Sequence, residues 1–340
     1  MEARTEISSL GEFGLIKRIN QGIKNTLPDT IKGIGDDAAV IDLGTEEYGL
    51  LSSDMLMEGV HFDLTFFPLK HLGYKAISIN VSDIAAMNGT PRQVTVNLAL
   101  SNRFSVEAID ELYEGMKTAC ADFNVDLVGG DTSSSLSGLF ISVSVFGKVQ
   151  KDKIAYRNTA KPHDLLCVTG DLGGAYMGLQ LLEREKQVFL ADPNMQPDLE
   201  GKDYVIQRQL RPEARMDVVY ELAEAGVLPT SMIDVSDGLA SDLLHICAQS
   251  GVGAIVFEDK LPIDDQTYLA GTELNLSPIT AAMNGGEDYE LLFTVSQQAY
   301  DLIKNNPKIS VIGYITDKKE EIMLHTQQDS RVPITAQGWS

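Results

Sequence analysis

Carboxylates recur in this chain beside glycines and at the ends of apolar runs, where a surface acid has no reason to stand. Asp36-Asp37 lie in GIGDDAAV, Asp54 follows YGLLSS, Asp83 lies in NVSDIAAM and Asp131 closes VGGD. Asp234 and Asp237 share MIDVSDG, and Glu287-Asp288 share NGGEDYELL. Any one of these loops alone reads as an Asx turn, the side chain bonding its own backbone beside glycine. Six of them together read otherwise, because acids are seldom buried without partners. Like charges gathered in an apolar setting need cations or must stay protonated. Ligand sets made only of oxygen select hard ions, Mg²⁺, Ca²⁺ or Mn²⁺. Magnesium uses one or two carboxylates and fills its shell with water and phosphate oxygens. Many separate Asp loops therefore fit several Mg²⁺ ions held against a polyphosphate better than one calcium cage, and no EF-hand spacing is present.

The absent motifs narrow the chemistry further. There is no GxxxxGK[ST] loop, so no Walker lysine can reach the phosphates, and GxGxxG, HExxH and GxSxG are missing too. The five histidines show no metal spacing. A phosphoryl-transfer site of this kind would neutralise charge with metals rather than lysines.

Short strands and helices must position these acids. Residues 48–53 read as a strand running into Asp54, 71–88 as a helix, and 94–100 as a strand. Val106, Ile109, Leu112, Tyr113, Met116, Ala119, Cys120 and Phe123 keep the three-four spacing of an amphipathic helix, with Ser105 as its N-cap. A short strand at 126–128 ends in Gly129-Gly130-Asp131, and Leu139 to Phe146 alternate as a half-buried strand. The polar stretch 150–164 is the expected domain boundary, dividing the chain into residues 1–150 and 151–340. Beyond it, 165–169, 253–257, 290–295, 309–315 and 321–325 read as strands, 174–185 and 213–225 as helices, and 191–204 as a polar loop. The interleaving predicts an α/β or α+β fold. Val-Ser-Asp recurs at 81–83 and 235–237, matches too short to establish a duplication.

Composition excludes whole classes of function. Twenty-seven basic against 49 acidic residues in 340 give a net charge of −22, which is unfit for neutralising nucleic-acid phosphates. A hydrophobic fraction of 44% is too high for a disordered acidic chain. Three scattered cysteines with no CxxC argue for a reducing compartment. The N-terminus, with Glu2, Arg4 and Glu6, has no long apolar stretch behind it, and no run is apolar enough for a bilayer. The expectation is a cytoplasmic protein that binds neither membrane nor nucleic acid.

In order along nearly the whole chain stand GEFGLI (11–16), GDDAAV (35–40), SSD (52–54) with His61 seven residues on, and SDIAAM (82–87). GGDT (129–132), DVSDGL (234–239), GEDYELLFT (286–294) and a final Gly338-Trp339 follow. On these motifs the chain resembles the thiamine-monophosphate kinases, within the aminoimidazole-ribonucleotide-synthetase superfamily. The resemblance implies a two-domain fold: an N-terminal mixed sheet that pairs in a dimer barrel, and a C-terminal α/β domain. It implies ATP-dependent phosphorylation of thiamine monophosphate to thiamine diphosphate, with several Mg²⁺ ions, direct in-line transfer, no general base and a homodimer. Asp36, Ser52, Ser53, Asp54, Asp83, Asp131, Asp234 and Asp237 match its metal-binding positions. Tyr113, Gly130, Asp131, Arg157 and Ser236 match ATP contacts, and His61, Glu287 and Trp339 match positions near the thiamine end.

Several of these residues carry ordinary readings as well. Trp339, the single tryptophan, could anchor the tail in the core or stack on a cationic thiazolium or pyrimidine. His61 in VHF could simply be packed, and Arg157 in the linker could be a solvated charge rather than a phosphate contact. The chain departs from the family pattern at Asn88, Asn158-Thr159, His163 and Ala214, which affects loop geometry and removes no metal ligand. A selenophosphate synthetase or hydrogenase-maturation enzyme would need a reactive N-terminal or a C-terminal cysteine, and the first cysteine here is Cys120. The aminoimidazole synthetase itself would lack the GEFGLI start and the terminal aromatic. A metal-binding module without catalysis would leave Tyr113, Arg157 and Trp339 unexplained.

Overall fold

The computed structural model describes residues 11–336. Its first half runs α1 (Gly11–Asn20), β1 (Thr30–Lys32), β2 (Ala39–Asp42), β3 (Glu47–Met57), α2 (Leu69–Ala86), β4 (Thr90–Leu100), α3 (Val106–Phe123), β5 (Asp126–Ser134) and β6 (Leu139–Gln150). The strands make one sheet in the order β1-β2-β3-β6-β4-β5, antiparallel except for the parallel β4–β5 pair. The second half runs β7 (Leu165–Thr169), α4 (Gly174–Ala191), α5 (Asp203–Leu210), α6 (Met216–Glu224), β8 (Ser231–Asp234), α7 (Leu239–Ser250) and β9 (Gly253–Phe257). It continues with α8 (Asp265–Leu274), α9 (Pro278–Asn284), β10 (Leu291–Val295), α10 (Tyr300–Ile303), β11 (Ile309–Thr316), β12 (Ile322–His325) and β13 (Arg331–Pro333). These strands form a second mixed sheet, β13-β12-β9-β11-β7-β10-β8.

Helix α2 joins the two halves. Nearly all of it is buried, and it packs against β3 and β6 on one side and β8 on the other. Side chains alternate along β3, so Leu50, Ser52, Asp54 and Leu56 face α2 while Leu51, Ser53, Met55 and Met57 face away. The same alternation on β6 buries Leu139, Ile141, Val143 and Val145 under the helices, and Ser105 caps α3 by accepting the Ala108 N–H at 3.3 Å.

Four segments differ from the sequence expectation for identifiable reasons. Strand β3 does not stop at Asp54 but continues to Met57, because its polar residues alternate with apolar ones on a half-buried surface. Strand β5 runs past Gly129-Gly130 to Ser134. Glycine ordinarily weakens a strand, yet a Cβ on Gly130 (φ 155°) would lie 1.7 Å from the Val96 carbonyl, so here glycine is what lets β5 lie against β4. Helix α4 extends to Ala191, where Asp192 precedes Pro193 and is steered out of the helical region. Helix α5 begins at Asp203, inside the stretch read as loop.

Three of the departures from the family pattern have local accounts. Asn88 takes φ 56° and donates its side-chain amide to the Lys153 carbonyl at 2.7 Å, tying the turn after α2 to the linker. His163 takes φ 74°, a conformation suited to glycine. Ala214 keeps an N–H that a proline would lack and donates it to the buried Ser78 hydroxyl at 3.0 Å.

Candidate active site

Four sequence-distant segments meet above α2. Ser52 on β3 donates its hydroxyl to Asp83 on α2. One turn before Asp83, the Asn80 side chain donates to the Ala76 carbonyl at 3.0 Å and accepts the Asp54 N–H at 3.1 Å. Asp234 arrives at the end of β8 and accepts from the Ser82 hydroxyl at 2.6 Å. Asp37 arrives on the loop before β2. One carboxylate oxygen from each of Asp37, Asp83 and Asp234 lies within 4.8 Å of the others, the geometry of a shared cation site. Both Val-Ser-Asp tripeptides border this place, one on α2 and one in the loop after β8. A cleft of about 420 Å³ opens beside it, lined by Asp54, His61, Asp83, Asp234, Ser236, Asp237 and Glu287 among others.

Electrostatics marks the cluster as short of positive charge. Burial raises the Asp54, Asp83 and Asp234 carboxyls, and neighbouring carboxylates raise them further, Asp234 to about 8. Burial also raises Asp36, Asp237 and the wholly buried Asp242 on α7. Arg157 is the cation that pairs with the set, through Asp37. Burial disfavours its charge, but Asp37 first, then Asp234 and Asp36, hold the guanidinium above its ordinary value. It forks onto Asp37, with Nε 2.9 Å from Oδ2, and its backbone N–H reaches Asp36 at 3.2 Å. Lys32 takes the other Asp36 oxygen at 2.9 Å. Among the described residues, no lysine or arginine forms an ion pair with Asp54, Asp83 or Asp234. Buried, hydroxyl-oriented, oxygen-only donors in that state suit a hard divalent cation.

The structure sorts the expected residues. It brings Asp54, Asp83, Asp234, Ser236, Asp237, His61 and Glu287 to one cleft, with Ser52 hydrogen-bonded to Asp83 and with Arg157 joined to Asp37 and Asp36. Of the Asp36-Asp37 pair, Asp37 joins the cluster while Asp36 is held by Lys32 and Arg157. Ser53 lies on the opposite face of the sheet, donating to the Val143 carbonyl at 3.1 Å. Gly130 and Asp131 stand exposed on the edge strand β5, with Asp131 in register with Asn97. Tyr113, on α3, is partly buried against a hydrophobic core that runs through both halves of the chain. Trp339 lies outside the described residues.

No sequence motif assigns Asn80, Asp242 or Lys75, and the family's metal-binding positions fall on Asp36 rather than on its neighbour Asp37. For Asp37 and Asp242 a signal existed, in the doubled acid of GDD and the repeated Ser-Asp of SDGLASD. In GEDYELLFT the acids divide. Asp288 accepts the Gly173 and Ala175 N–H groups at the start of α4, with burial pushing it to about 7, and Glu290 is buried against Thr169 and Arg208. Only Glu287 reaches the cleft. Its loop is laced to the Asp234 loop by Glu287 N–H to the Ser236 carbonyl at 2.7 Å and Tyr289 N–H to the Val235 carbonyl at 2.9 Å.

Residues 35–149 match the family described as AIR synthase related protein, N-terminal domain, and residues 161–325 match the corresponding C-terminal domain. The thiamine-monophosphate kinase of Bacillus subtilis (strain 168) is 35% identical over 335 residues, 95% of this chain and 97% of that protein. The solved structure of AaThiL complexed with AMPPCP and TMP superposes with a TM-score of 0.81 at 31% identity, covering 97% of each chain. A hydrogenase maturation protein, HypE, in complex with ATP reaches a TM-score of 0.67 at 20% identity over 91% of this chain and 90% of its own, a likeness of fold alone.

Proposed function

The chain belongs to the thiamine-monophosphate kinases of the AIR synthase-related family, and from that premise we propose that its acidic cleft is where the phosphate is transferred. The enzyme phosphorylates thiamine monophosphate to thiamine diphosphate with ATP, a step of thiamine diphosphate biosynthesis. The observation that carries the cleft assignment is the convergence of Asp37, Asp54, Asp83 and Asp234 beside His61 and Glu287.

The attacking group is a phosphate oxygen of the acceptor, mostly ionised at neutral pH because its second pKa is about 6. No general base is then required. The task left to the protein is to hold two anionic phosphates in line. Asp37, Asp54, Asp83 and Asp234 would hold Mg²⁺, with Asp36, Ser52 and Asp237 around them. Bound there, Mg²⁺ supplies neutralisation of the phosphate charges. Ser52, Ser82 and Asn80 fix these carboxylates and the strand that carries them, and Arg157 fixes Asp37. Ser236 and Arg157 serve the ATP side, and His61, Glu287 and Trp339 receive the thiamine end. The His61 ring is oriented for this by accepting the Met57 N–H at Nδ1, 3.0 Å.

Asp131 requires a second copy. Strands β3 and β5 are separated by β6 and β4, so Asp54 and Asp131 stand roughly three strand spacings, about 14 Å, apart. They also face opposite sides of the sheet, and no ion held by one chain could touch both. The face away from α2 exposes Leu51 (44%) and Met55 (54%), and β5 exposes Val128 (60%). We read this as the pairing surface of a homodimer barrel in which the partner copy supplies Tyr113, Gly130 and Asp131, with Ser53 on the pairing face. Residues 1–150 then bind metal and ATP and pair the dimer, and residues 151–340 complete the site. Three buried free cysteines suit a cytoplasmic location.

Incubation with MgATP and thiamine monophosphate, followed by fluorescence detection of oxidised thiamine diphosphate, tests the activity. Product is expected, and it should vanish when EDTA removes the metal. A folded protein giving no product above the enzyme-free control would overturn the assignment.

A further inference from the structure

Lys75 is a lysine with no solvent exposure, on the α2 face turned toward the second half of the chain. Burying an ammonium is costly unless it is paired. Its partner is Glu287, whose Oε1 lies 3.0 Å from Nζ; the Gln209 carbonyl is at 3.5 Å and the Phe67 ring centroid at 5.5 Å. The Gln209 side-chain amide donates to the other Glu287 oxygen at 2.8 Å. Glu287 therefore has one interior donor on each oxygen, and its backbone holds φ 59°, a conformation rare for a residue of its size.

An ion pair serving only to join the two halves could lie anywhere along α2, and that junction already has Ser82–Asp234 and Ser78–Ala214. This pair instead ends on a carboxylate that is 22% exposed and lines two adjoining cavities at once. One is the acidic cleft. The other, of about 140 Å³, is lined by Phe62, Phe66 and Phe67, which suit a flat ring, and by Asp63 and Glu183, both paired with Lys186. Lys75 balances the Glu287 charge internally, which separates this carboxylate from the cation-starved aspartates nearby. Its remaining lone pairs accept hydrogen bonds.

We propose that Lys75 is a positioning residue, pinning Glu287 together with Gln209 where the two cavities meet, so that Glu287 accepts from an amino group on the ring end of the acceptor. The inference rests on the kinase reading above and names what sets acceptor affinity within it.

Steady-state kinetics of wild type, Lys75→Met, Gln209→Leu, Glu287→Gln and the Lys75→Met/Glu287→Gln double variant test it. Lys75→Met is expected to raise KM for thiamine monophosphate about tenfold or more, leaving KM for ATP within about twofold and kcat within about fivefold. Gln209→Leu should move the same constant in the same direction by less, and the double variant should be no worse than Glu287→Gln alone. An unchanged acceptor KM, equal changes in both KM values, or additive losses in the double variant would overturn the proposal. If Lys75→Met does not fold, Gln209→Leu decides: a raised acceptor KM supports positioning and an unchanged one refutes it. A wild-type enzyme inactive on thiamine monophosphate would instead overturn the kinase reading, and this inference with it.

Discussion

Asp234 closes a four-residue strand in which every side chain is buried, and its carboxylate meets Ser82, Asp37 and Asp83. Burial first, then the charge of Asp37, raises it to about 8 from an ordinary 3.8, and Asp83 moves the same way. The folded state therefore binds more protons than the unfolded chain between about pH 4 and 8. These groups make the metal-free protein less stable as pH rises through that window, because ionising them in place costs more than ionising them in water. A divalent cation reverses the sense by pairing with the ionised form. Melting temperature without metal should fall from pH 6 to pH 8.5, and added Mg²⁺ should raise it more at the higher pH. An equal Mg²⁺ shift at both values would speak against these aspartates as the ligands. At this scale the sequence was informative about residue type and silent about choice. GDD announces an acid pair in a glycine loop, but nothing in it says that Asp37 turns to the cluster while Asp36 turns to Lys32.

Elements with a strong local period were legible. Helix α3 keeps its apolar spacing and its Ser105 cap, and β6 its strict alternation. Helix α7 carries the same spacing in Leu239, Leu243, Ile246 and Cys247, whereas the four residues of β8 are too few to show a period. Strand propensity penalises the glycines of β5, whereas the pairing with β4 demands them. Gly130→Ala puts a methyl against the Val96 carbonyl, so β5 must shift or detach. The expected outcome is a loss of about 2 kcal/mol or more in unfolding free energy. Amide exchange should quicken across 126–134 and stay slow in α2. Unchanged protection of β5 would show that the contact is not limiting.

For the whole molecule, the charge of −22 resolves into two populations. One is a solvated coat that aids solubility. The other is a small buried set that a divalent cation would offset, so that an acidic protein can handle two anionic substrates. The proposed completion of the site by a second copy can be tested directly. Asp54→Asn and Asp131→Asn should each lower turnover by about a hundredfold or more without unfolding the chain. Unfolded together and refolded as a mixture, the two should recover about a quarter of wild-type activity, since half of a random C₂ population is mixed and each mixed dimer holds one intact site. No recovery would place Asp131 in the same copy's site or outside the site altogether.

What the sequence determined by itself was the family, the supply of carboxylate oxygens beside glycines and the lack of a Walker lysine. Those follow from residue types within windows of a few positions. Only the tertiary structure decided which aspartates converge, that Ser53 and Asp131 face away from Asp54, and that a buried lysine holds Glu287 across 212 residues of chain. Strand alternation, sheet order and the seating of α2 set those relations, and each depends on contacts between segments that no local pattern connects.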